Sequence, residues 1–338
     1  MIKRKFFLLF CIFFLHLELL SQEKIFLRES EGIDIIKLME DHQLFITRIQ
    51  DMDVDDNGNL CILDDRSGNV VRMDLKTGLL VNKISSLGQG PAELMRPSVV
   101  RVRNDKLFVL SEGHMGIKIF SISGGFLSGF KTNSVPRWMD VDKNENIYVA
   151  EADERSNPVI SVYDAQGKKI RTAMTFQLKN EVLQDRAEYT KRKFFKFKLD
   201  PEGNIIILFD ALRRLIKASP DGTILWEKKI ENSILKPFLK NEGTSYDNQG
   251  RPKISYLVAN FDLDQENNIV IGHVGGGCIY NQKGDLIRVL EVQTIEHRNT
   301  SPGLTRLKIV GDKLLGIYAD GTAILFPYKL NNNLTSLP

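Results

Sequence analysis

The chain has 338 residues, 42% of them hydrophobic, so it is long enough to bury a sizeable core. Its 46 basic residues nearly balance its 43 acidic ones, which excludes a general electrostatic attraction to nucleic acid or to anionic lipid. Three cysteines are too few for a disulfide-built fold.

Residues 1–21 have the pattern of a secretory signal peptide. A basic head over residues 1–5 precedes an apolar run over residues 6–15, and Ser21 supplies the small residue that the signal peptidase prefers. The run is shorter than the roughly 20 apolar residues that a membrane-spanning helix needs. We therefore predict cleavage near Ser21 and an exported protein, either periplasmic or at the cell surface or secreted, with no transmembrane segment after cleavage.

The rest of the chain repeats one phrase six times: a short apolar strand, a turn with an acidic residue or Asn, and a second apolar strand. The second strands begin 40 to 64 residues apart, at Leu60, Leu107, Ile147, Ile205, Ile269 and Leu314. Repeats of about 40 to 50 residues that consist of strands alone are typical of propeller blades. The predicted fold is all-β, a six-bladed β-propeller over residues 22–330, with a flexible C-terminal tail over residues 331–338.

Each blade is predicted to have four strands, A to D; in blade one they cover residues 51–55, 60–64, 70–75 and 79–84. Asp, Asn and Gly recur in the A-to-B and C-to-D turns, because tight turns need a left-handed φ or a side chain that bonds its own backbone. These turns share one face of the disc, the short-turn face. The B-to-C and D-to-A connections lie on the other, the loop-rich face.

The long insertions, at residues 86–98, 175–195, 231–257 and 293–304, are all D-to-A connections. Long loops on a rigid scaffold are where binding sites usually lie, which favours the loop-rich face; drift in tolerant surface loops is the alternative. Blade six has no D strand of its own after residues 322–328. We predict that the apolar segment 33–39 supplies it and closes the ring, with residues 24–27 as a second candidate.

Three features resemble known propellers: the Asp-x-x-Gly-Asn-Ile/Leu turns, the Asp-x-x-Gly turns before strand D, and residues 88–93, which read Gly-Gln-Gly-Pro-Ala-Glu. Together they resemble the NHL/TolB-like group of six-bladed propellers, and most closely the exported proteins of this type in Bacteroidota. Ala92 stands where that group usually has a third Gly. The resemblance implies the fold, an exported location and a binding or scaffolding role at the cell envelope.

We predict that the binding residues lie at the loop-rich face. Strand A lines the channel and starts just after the long loops, and Arg and Trp often anchor interfaces. The predicted binding residues are Arg137, Trp138, Arg213, Arg306, His114 and His273. Trp138 has an alternative role as a core residue between blades. The two histidines follow the B strands of blades two and five, where surface or loop-capping roles compete with a channel metal site.

Other motifs have structural interpretations. The Asp-rich residues 53–64 resemble the start of an EF-hand loop, but they lie between strands and lack the flanking helices. Residues 191–196, together with Lys198, Arg213 and Arg214, give blade four a basic mouth mixed with aromatic residues. Aromatic side chains can stack on RNA bases, but the predicted export argues against RNA binding, and a solvated run of charges is the simpler interpretation. In residues 88–93, Glu93 is predicted to orient the turn by bonding backbone N–H groups. Cys61 and Cys278 are interpreted as small buried apolar residues.

No Gly-x-Ser-x-Gly, His-Glu-x-x-His or paired-cysteine motif occurs in the sequence. We therefore predict a non-enzymatic binding or scaffolding protein with no catalytic residue, metal or cofactor. Its expected partner is an envelope protein, a peptide or a glycan, with no nucleic acid, and the protein is expected to be a monomer. The alternative is a metal-dependent hydrolase or lyase of the lactonase-like propeller type.

Overall fold

The computed structural model describes residues 23–28, 32–41, 46–153, 156–230, 244–254, 258–273, 276–293, 304–318 and 322–327. The predicted signal peptide and the C-terminal tail lie outside these residues. The chain begins with strand β1 (Glu23–Arg28), strand β2 (Ile33–Asp34) and helix α1 (Ile35–Asp41). Within the described ranges, no helix combines the length and the apolar character needed to cross a membrane.

The fold is the predicted six-bladed propeller, with the strands of each blade in chain order from the channel outward. Blade one has β3 (Ile49–Val54), β4 (Asn59–Asp64), β5 (Asn69–Asp74) and β6 (Leu80–Ile84). Blade two has β7 (Pro97–Arg103), β8 (Lys106–Ser111), β9 (Gly116–Ser121) and β10 (Phe126–Lys131). Blade three has β11 (Pro136–Val141), β12 (Ile147–Glu151), β13 (Val159–Tyr163) and β14 (Lys169–Thr175).

Helices α2 (Asn180–Gln184) and α3 (Arg186–Lys193) follow blade three. Blade four has β15 (Lys196–Leu199), β16 (Ile205–Phe209), β17 (Arg214–Ala218) and β18 (Ile224–Lys229), and a hairpin of β19 (Thr244–Tyr246) and β20 (Pro252–Ile254) follows it. Blade five has β21 (Val258–Leu263), β22 (Ile269–His273), β23 (Gly276–Tyr280) and β24 (Leu286–Gln293). Blade six has β25 (Leu304–Val310), β26 (Lys313–Tyr318) and β27 (Ala323–Pro327).

The innermost strands β3, β7, β11, β15, β21 and β25 contact one another in order, and β25 contacts β3 to complete the circle. Strands in second position, such as β4 and β16, are buried on both faces. The residues of the outermost strands β6 and β18 are mostly exposed or half-buried. The core therefore lies between neighbouring blades. Cys61 and Cys278 are both free thiols buried in it, which confirms their interpretation as small apolar residues.

The N-terminal segment differs from the prediction. β2 pairs antiparallel with β27 at the outer edge of blade six, but the strand predicted over residues 33–39 is wrong beyond Asp34, where α1 begins. The Asp34 carboxylate accepts from the Lys37 amide at 3.1 Å and so caps the helix. Ile35 and Met39, one helical turn apart, are buried between blades six and one.

The second candidate for closure, residues 24–27, belongs to β1 and has a different place. β1 adds to blade five as a fifth strand, parallel to β24. Its Leu27 is 1% exposed in the cluster shared by blades five and six. The outer edge of blade five is therefore covered by a strand of the same chain, as edge strands commonly are. That the N-terminal segment keeps the ring closed stays a prediction.

The turn chemistry follows the prediction. In four of the A-to-B turns an Asp accepts from the backbone amide and the side-chain amide of the Asn four residues later; these pairs are Asp55–Asn59, Asp142–Asn146, Asp200–Asn204 and Asp264–Asn268. The bonds measure between 2.7 and 3.0 Å. Such Asx turns fix the rim of the short-turn face with local side-chain bonds.

The insertion after blade one is also ordered as predicted. The Glu93 carboxylate accepts from the Gly90 amide at 2.7 Å, and this confirms that Glu93 orients the turn. A Cβ on Gly88 would lie 2.0 Å from the Glu93 carboxylate, so a larger residue there would displace this carboxylate from its bond to Gly90. Lys118 of blade two donates to the Pro91 carbonyl at 2.8 Å and ties the insertion to its neighbour.

Candidate functional site

Six charged side chains occupy equivalent positions on the six innermost strands. Each is paired with the residue that follows the first apolar residue of strand B in its blade. They are Asp53, Arg101, Asp140, Lys198, Asp262 and Lys308. Their signs alternate around the channel, with Asp in blades one, three and five and Arg or Lys in the others. We call this set the charge ring.

Ion pairs join most neighbours in the charge ring. Lys308 Nζ lies 2.6 Å from Asp53 and 3.3 Å from Asp262, and Lys198 Nζ lies 3.1 Å from Asp262. Arg101 Nε lies 3.2 Å from Asp140 Oδ1, and Arg101 Nη1 lies 2.7 Å from Asp51. Arg101 is 1% and Asp140 0% exposed, whereas the Lys308 side chain is 13% exposed. The ring is therefore a buried ionic network at the centre of the fold.

The three Asp residues of the charge ring also bind the backbone of the next blade. Asp53 accepts from the Val102 amide at 2.9 Å, Asp140 from the Leu199 amide at 2.8 Å, and Asp262 from the Ile309 amide at 2.9 Å. Each amide belongs to the residue directly after a ring cation. A buried carboxylate with both a cation and an amide partner is well compensated for its lost hydration. The network thus links blades as well as charges.

Electrostatics differ from one ring member to the next. Burial opposes ionisation of Asp262, but the charges of Lys198 and Lys308 outweigh it and hold its pKa at about 2. Burial also opposes the charge of Lys308, yet Asp262 and Asp53 raise its pKa above the usual value. Burial lowers the pKa of Lys198, and the positive charges of Lys308 and Arg101 lower it further. The opposing effect of the Asp262 carboxylate is smaller, so the pKa of Lys198 lies below its usual value.

A cavity of about 690 Å³ lies beside the charge ring, toward the short-turn face. Its rim consists of A-to-B turn residues from blades three, four and five, among them Asp142, Asp200 and Asp264. Its floor contains the ring members Asp140, Lys198, Asp262 and Lys308. None of the described residues that line this central cavity is aromatic. The cavity is therefore a polar, charged depression on the axis of the propeller.

Two junctions of the charge ring lack an ion pair among the described residues. At the first, Arg101 pairs with Asp51 rather than with its ring neighbour Asp53. The second lies on the floor of the cavity. Among the described ion pairs, Asp140 and Lys198 do not form one, although they are neighbours in the ring. Asp140 Oδ1 and Arg101 Nε are buried without a hydrogen-bond partner in the described part of the chain, despite their 3.2 Å separation. We call the space between Asp140 and Lys198 the gap. Asp140 Oδ1 is the atom of the cavity floor that receives no hydrogen bond from the described residues.

Trp138, Arg306 and Arg137, three of the predicted binding residues, contact the blade that follows their own or the segment just before it. Trp138 is 9% exposed, and its indole N–H donates to the Phe197 carbonyl at 2.8 Å, which fits the alternative role as a core residue between blades. Arg306 donates to the side-chain oxygen of Gln50 in blade one at 3.1 Å. The Arg137 guanidinium lies 5.2 Å from the centre of the Phe194 ring.

The other three lie in different blades. Arg213 lies in the turn after β16, at the loop-rich face, with φ of 52°. His114 ends a single 3-10 turn after β8, and its Nδ1 lies 2.8 Å from the Ser111 hydroxyl. His273 is the last residue of β22 and is 2% exposed. Burial and the nearby Lys118 lower the pKa of His114.

The charged side chains of the remaining sequence motifs form ion pairs within the protein. Asp55, in the EF-hand-like segment, lies 2.6 Å from Arg72 and Asp53 lies 2.6 Å from Lys308. In the basic mouth, Lys191 and Arg192 both pair with Glu188, and Lys196 lies 2.9 Å from Asp210. These contacts compensate the charge run locally. The described residues contain no group of three or more His, Cys, Asp or Glu side chains arranged to hold a metal.

Sequence reasoning missed the charge ring and the central cavity. The signal was available, because the ring residues stand at one fixed place in the aligned repeat and change sign from copy to copy. The gap could not be predicted from the sequence. It depends on how far apart the side chains of blades three and four lie, and this distance is set by packing.

The chain is similar to several solved structures. A catalytically inactive virginiamycin B lyase variant from Staphylococcus aureus with quinupristin is 10% identical, with TM-score 0.51, over 89% of this chain and 88% of that chain. BamB from Moraxella catarrhalis is 16% identical, with TM-score 0.48, over 83% of this chain and 85% of that chain. A protein of unknown function from Bacteroides caccae is 12% identical, with TM-score 0.44, over 76% of this chain and 78% of that chain.

The likeness to the lyase variant bears on the fold alone. No curated protein matches the chain. Residues 21–232 match the family model described as DUF5128: 6-bladed beta-propeller. Because this match covers more than half of the sequence, the chain belongs to the DUF5128 family of 6-bladed beta-propellers.

Proposed function

We propose that this protein is an exported binding or scaffolding propeller without a catalytic role, and that its ligand or partner enters the central cavity. The observation that carries the proposal is the charged cavity of about 690 Å³, whose floor includes the buried Asp140 Oδ1 without a hydrogen bond from the described residues. Pockets of about 300–1,000 Å³ with a few convergent polar groups are the usual size of ligand sites. A protein or peptide partner fits this chemistry better than a glycan, since the described lining offers no ring for a sugar face to pack on.

A rigid rim supports the same proposal. The Asp–Asn clamps of blades three, four and five hold three A-to-B turns at the mouth of the cavity, with bonds of 2.7 to 3.0 Å. Binding to a preorganised site avoids the entropy loss of ordering loops. The short-turn face thus has a preformed mouth, whereas the sequence analysis favoured the opposite face.

The loop-rich face stays a second proposal, supported by one observation of its own. Between blades three and four, a pocket of about 240 Å³ is lined by Phe176, Phe209 and Leu212. It lies beside the insertion that carries α2 and α3. A partner with an exposed apolar side chain fits this pocket, and a partner with polar or charged ends fits the central cavity.

Capture of an envelope partner by the purified protein distinguishes the two faces. Asn144→Trp with Glu202→Trp places bulk at the mouth of the central cavity, where both residues are exposed. Gln166→Trp is the matched control, because it is exposed on the same face in the C-to-D turn of blade three. We expect the double variant to lose the captured partner and the control to retain it, with unchanged melting temperatures for both.

The opposite result would move the site to the other face. If the double variant captured the partner normally, while shortening residues 231–257 to a tight turn abolished capture, the central cavity would not be the binding site. Metal analysis of the purified protein tests the enzymatic alternative. A stoichiometric metal that chelation removes together with a hydrolase or lyase activity would contradict the non-catalytic proposal.

A further inference from the structure

We propose that the gap in the charge ring binds a small zwitterion, an amino acid or a short peptide with free ends, whose ammonium meets Asp140 and whose carboxylate meets Lys198. This inference rests on the proposed role of the central cavity and names the chemistry of its ligand. It follows from the unsatisfied Asp140 Oδ1 on one side of the gap and from the single ion-pair partner of Lys198 on the other.

On the Asp140 side of the gap, one carboxylate oxygen receives no hydrogen bond from the described residues. Oδ2 of Asp140 accepts from the Leu199 amide at 2.8 Å, which fixes the carboxylate against blade four. Oδ1 is buried at the cavity floor and lies 3.2 Å from Arg101 Nε, but no described residue donates a hydrogen bond to it. A buried carboxylate oxygen in this state gains most from a charged donor. A ligand ammonium supplies one.

The Lys198 side of the gap offers donors without enough acceptors. An ammonium group has three N–H donors, and among the described ion pairs Lys198 Nζ contacts Asp262 alone, at 3.1 Å. Burial and the nearby charges of Lys308 and Arg101 disfavour its protonated form. A ligand carboxylate next to Nζ relieves both conditions, since it accepts hydrogen bonds and adds a negative charge.

A further donor lies at the edge of the cavity. Arg103 donates from Nε to the Val141 carbonyl at 3.1 Å and from Nη1 to the Val102 carbonyl at 2.8 Å. Its Nη2 has no partner of its own among the hydrogen bonds of the described residues, and the side chain lines the cavity. Backbone bonds thus hold the guanidinium at the edge of the cavity. There it adds a charged donor for a peptide carbonyl of the ligand.

Other ligand chemistries fit the gap less well. A metal or organic cation would lie close to Lys198 and Lys308, and an anion would lie close to Asp140 and Asp262, so either one meets like charge. A neutral sugar would leave Lys198 with the same single carboxylate. A zwitterion alone continues the alternation, with its ammonium beside Asp140 and its carboxylate beside Lys198.

Titration calorimetry with a set of dipeptide probes tests the inference on the unmodified protein. We expect L-alanyl-L-alanine to bind saturably. The N-acetylated dipeptide lacks the ammonium and the dipeptide amide lacks the carboxylate, so each should bind at least about tenfold more weakly, as expected for the loss of one charged hydrogen bond. Glucose serves as the neutral polar probe and should not bind measurably.

Variants then locate the site. Lys198→Met keeps the length of the side chain and removes its charge, and we expect it to weaken binding of L-alanyl-L-alanine at least about tenfold. Lys106→Met is the matched control, because Lys106 pairs with Glu145 at 2.6 Å outside the cavity. It should leave the dissociation constant unchanged. The probe series needs no variant, so a folding defect in Lys198→Met does not remove the test.

Several results would overturn the inference. Equal binding of the dipeptide and its acetylated or amidated forms, undiminished binding by folded Lys198→Met, or failure of the unmodified protein to bind the dipeptide would each do so. The proposed function fails in a different experiment, when blocking the mouth with Asn144→Trp and Glu202→Trp leaves partner capture intact. Binding of glucose without the dipeptide would keep the cavity as a ligand site and reject the zwitterion.

Discussion

Lys308 has two buried carboxylate partners, Asp53 at 2.6 Å and Asp262 at 3.3 Å, and so stabilises charges from blades one and five. Buried ion pairs are costly to break from one side, because the remaining charge stays desolvated without a partner. Both carboxylates keep a backbone amide donor, which limits but does not remove this penalty. At the scale of single residues, the charge ring is therefore sensitive to the loss of any one cation.

We expect Lys308→Met to lower the free energy of unfolding by about 3 kcal/mol, as for other broken buried pairs. Lys106→Met is again the control: its pair with Glu145 is partly exposed, and such pairs contribute about 1 kcal/mol or less. Urea unfolding at pH 7 followed by circular dichroism measures both. Equal losses for the two variants would show that the ring contributes little to stability.

The low pKa of Asp262 also predicts how stability depends on pH. Its pKa is about 2 in the folded protein, against an ordinary value of 3.8 for a solvated Asp side chain, so the unfolded chain binds the proton more readily. The stabilisation is present above about pH 4 and is lost as the pH falls toward 2. This group alone should remove roughly 2 kcal/mol over that range.

Asp262→Asn tests this dependence. It should be less stable than the wild type at pH 7 and should lose less stability between about pH 5 and pH 2. Asp56→Asn, at an exposed turn position, should keep the wild-type pH profile. Parallel acid profiles for wild type and Asp262→Asn, measured as melting temperatures, would contradict the assignment of this loss to the charge ring.

At the scale of elements, the N-terminal segment joins the two ends of the chain. β1 covers blade five, β2 extends blade six, and α1 packs its Ile35 and Met39 against residues of blades six and one, including Leu325 and Met52. Fully buried apolar side chains of this size contribute about 2–5 kcal/mol each in substitution by alanine. The segment thus carries a substantial part of the contact between the first and last blades.

Deleting residues 22–40 should therefore lower the melting temperature far more than deleting residues 331–338. The first deletion removes β1, β2 and nearly all of α1, whereas the second removes only the predicted tail. Differential scanning calorimetry of the two truncations, each compared with the intact mature chain, measures the effect. Equal melting temperatures would reject the prediction that the N-terminal segment keeps the ring closed.

The strands were predictable from the sequence and α1 was not, for a physical reason. The strands repeat with period two between turns whose Asp, Asn and Gly residues mark their ends, and the observed ends in blade one lie within about two residues of the predicted ones. Residues 33–39 are a short apolar run without such marks. Either a helix or a strand can bury such a run. The helix forms here because its apolar side chains pack between blades six and one.

At the scale of the whole molecule, the site was harder to predict than the fold. Six copies of one phrase were enough to predict six blades and their two faces. The direction of long insertions pointed to the loop-rich face, whereas the described central cavity lies toward the other face. Loop length is visible in a sequence, but the space left between side chains on an axis depends on blade tilt and packing.

Export is a prediction for the whole chain as well. Expression in a Gram-negative host with a fractionation step should place the protein outside the cytoplasm, because the basic head and apolar run of residues 1–15 match a signal sequence. Mass spectrometry of that fraction should give a chain that begins near residue 22. Replacing Leu9 and Phe10 by Asp should retain the protein in the cytoplasm at full length. Recovery of an uncleaved chain from the membrane fraction would contradict cleavage.

The alternation of sign around the charge ring implies a rule of parity. Because the number of blades is even, negative and positive side chains alternate around the whole ring, and no two neighbouring blades carry the same charge. A ring of five or seven such blades would place two buried like charges side by side at one junction, which is unfavourable. We therefore expect descendants of this architecture to gain or lose blades two at a time.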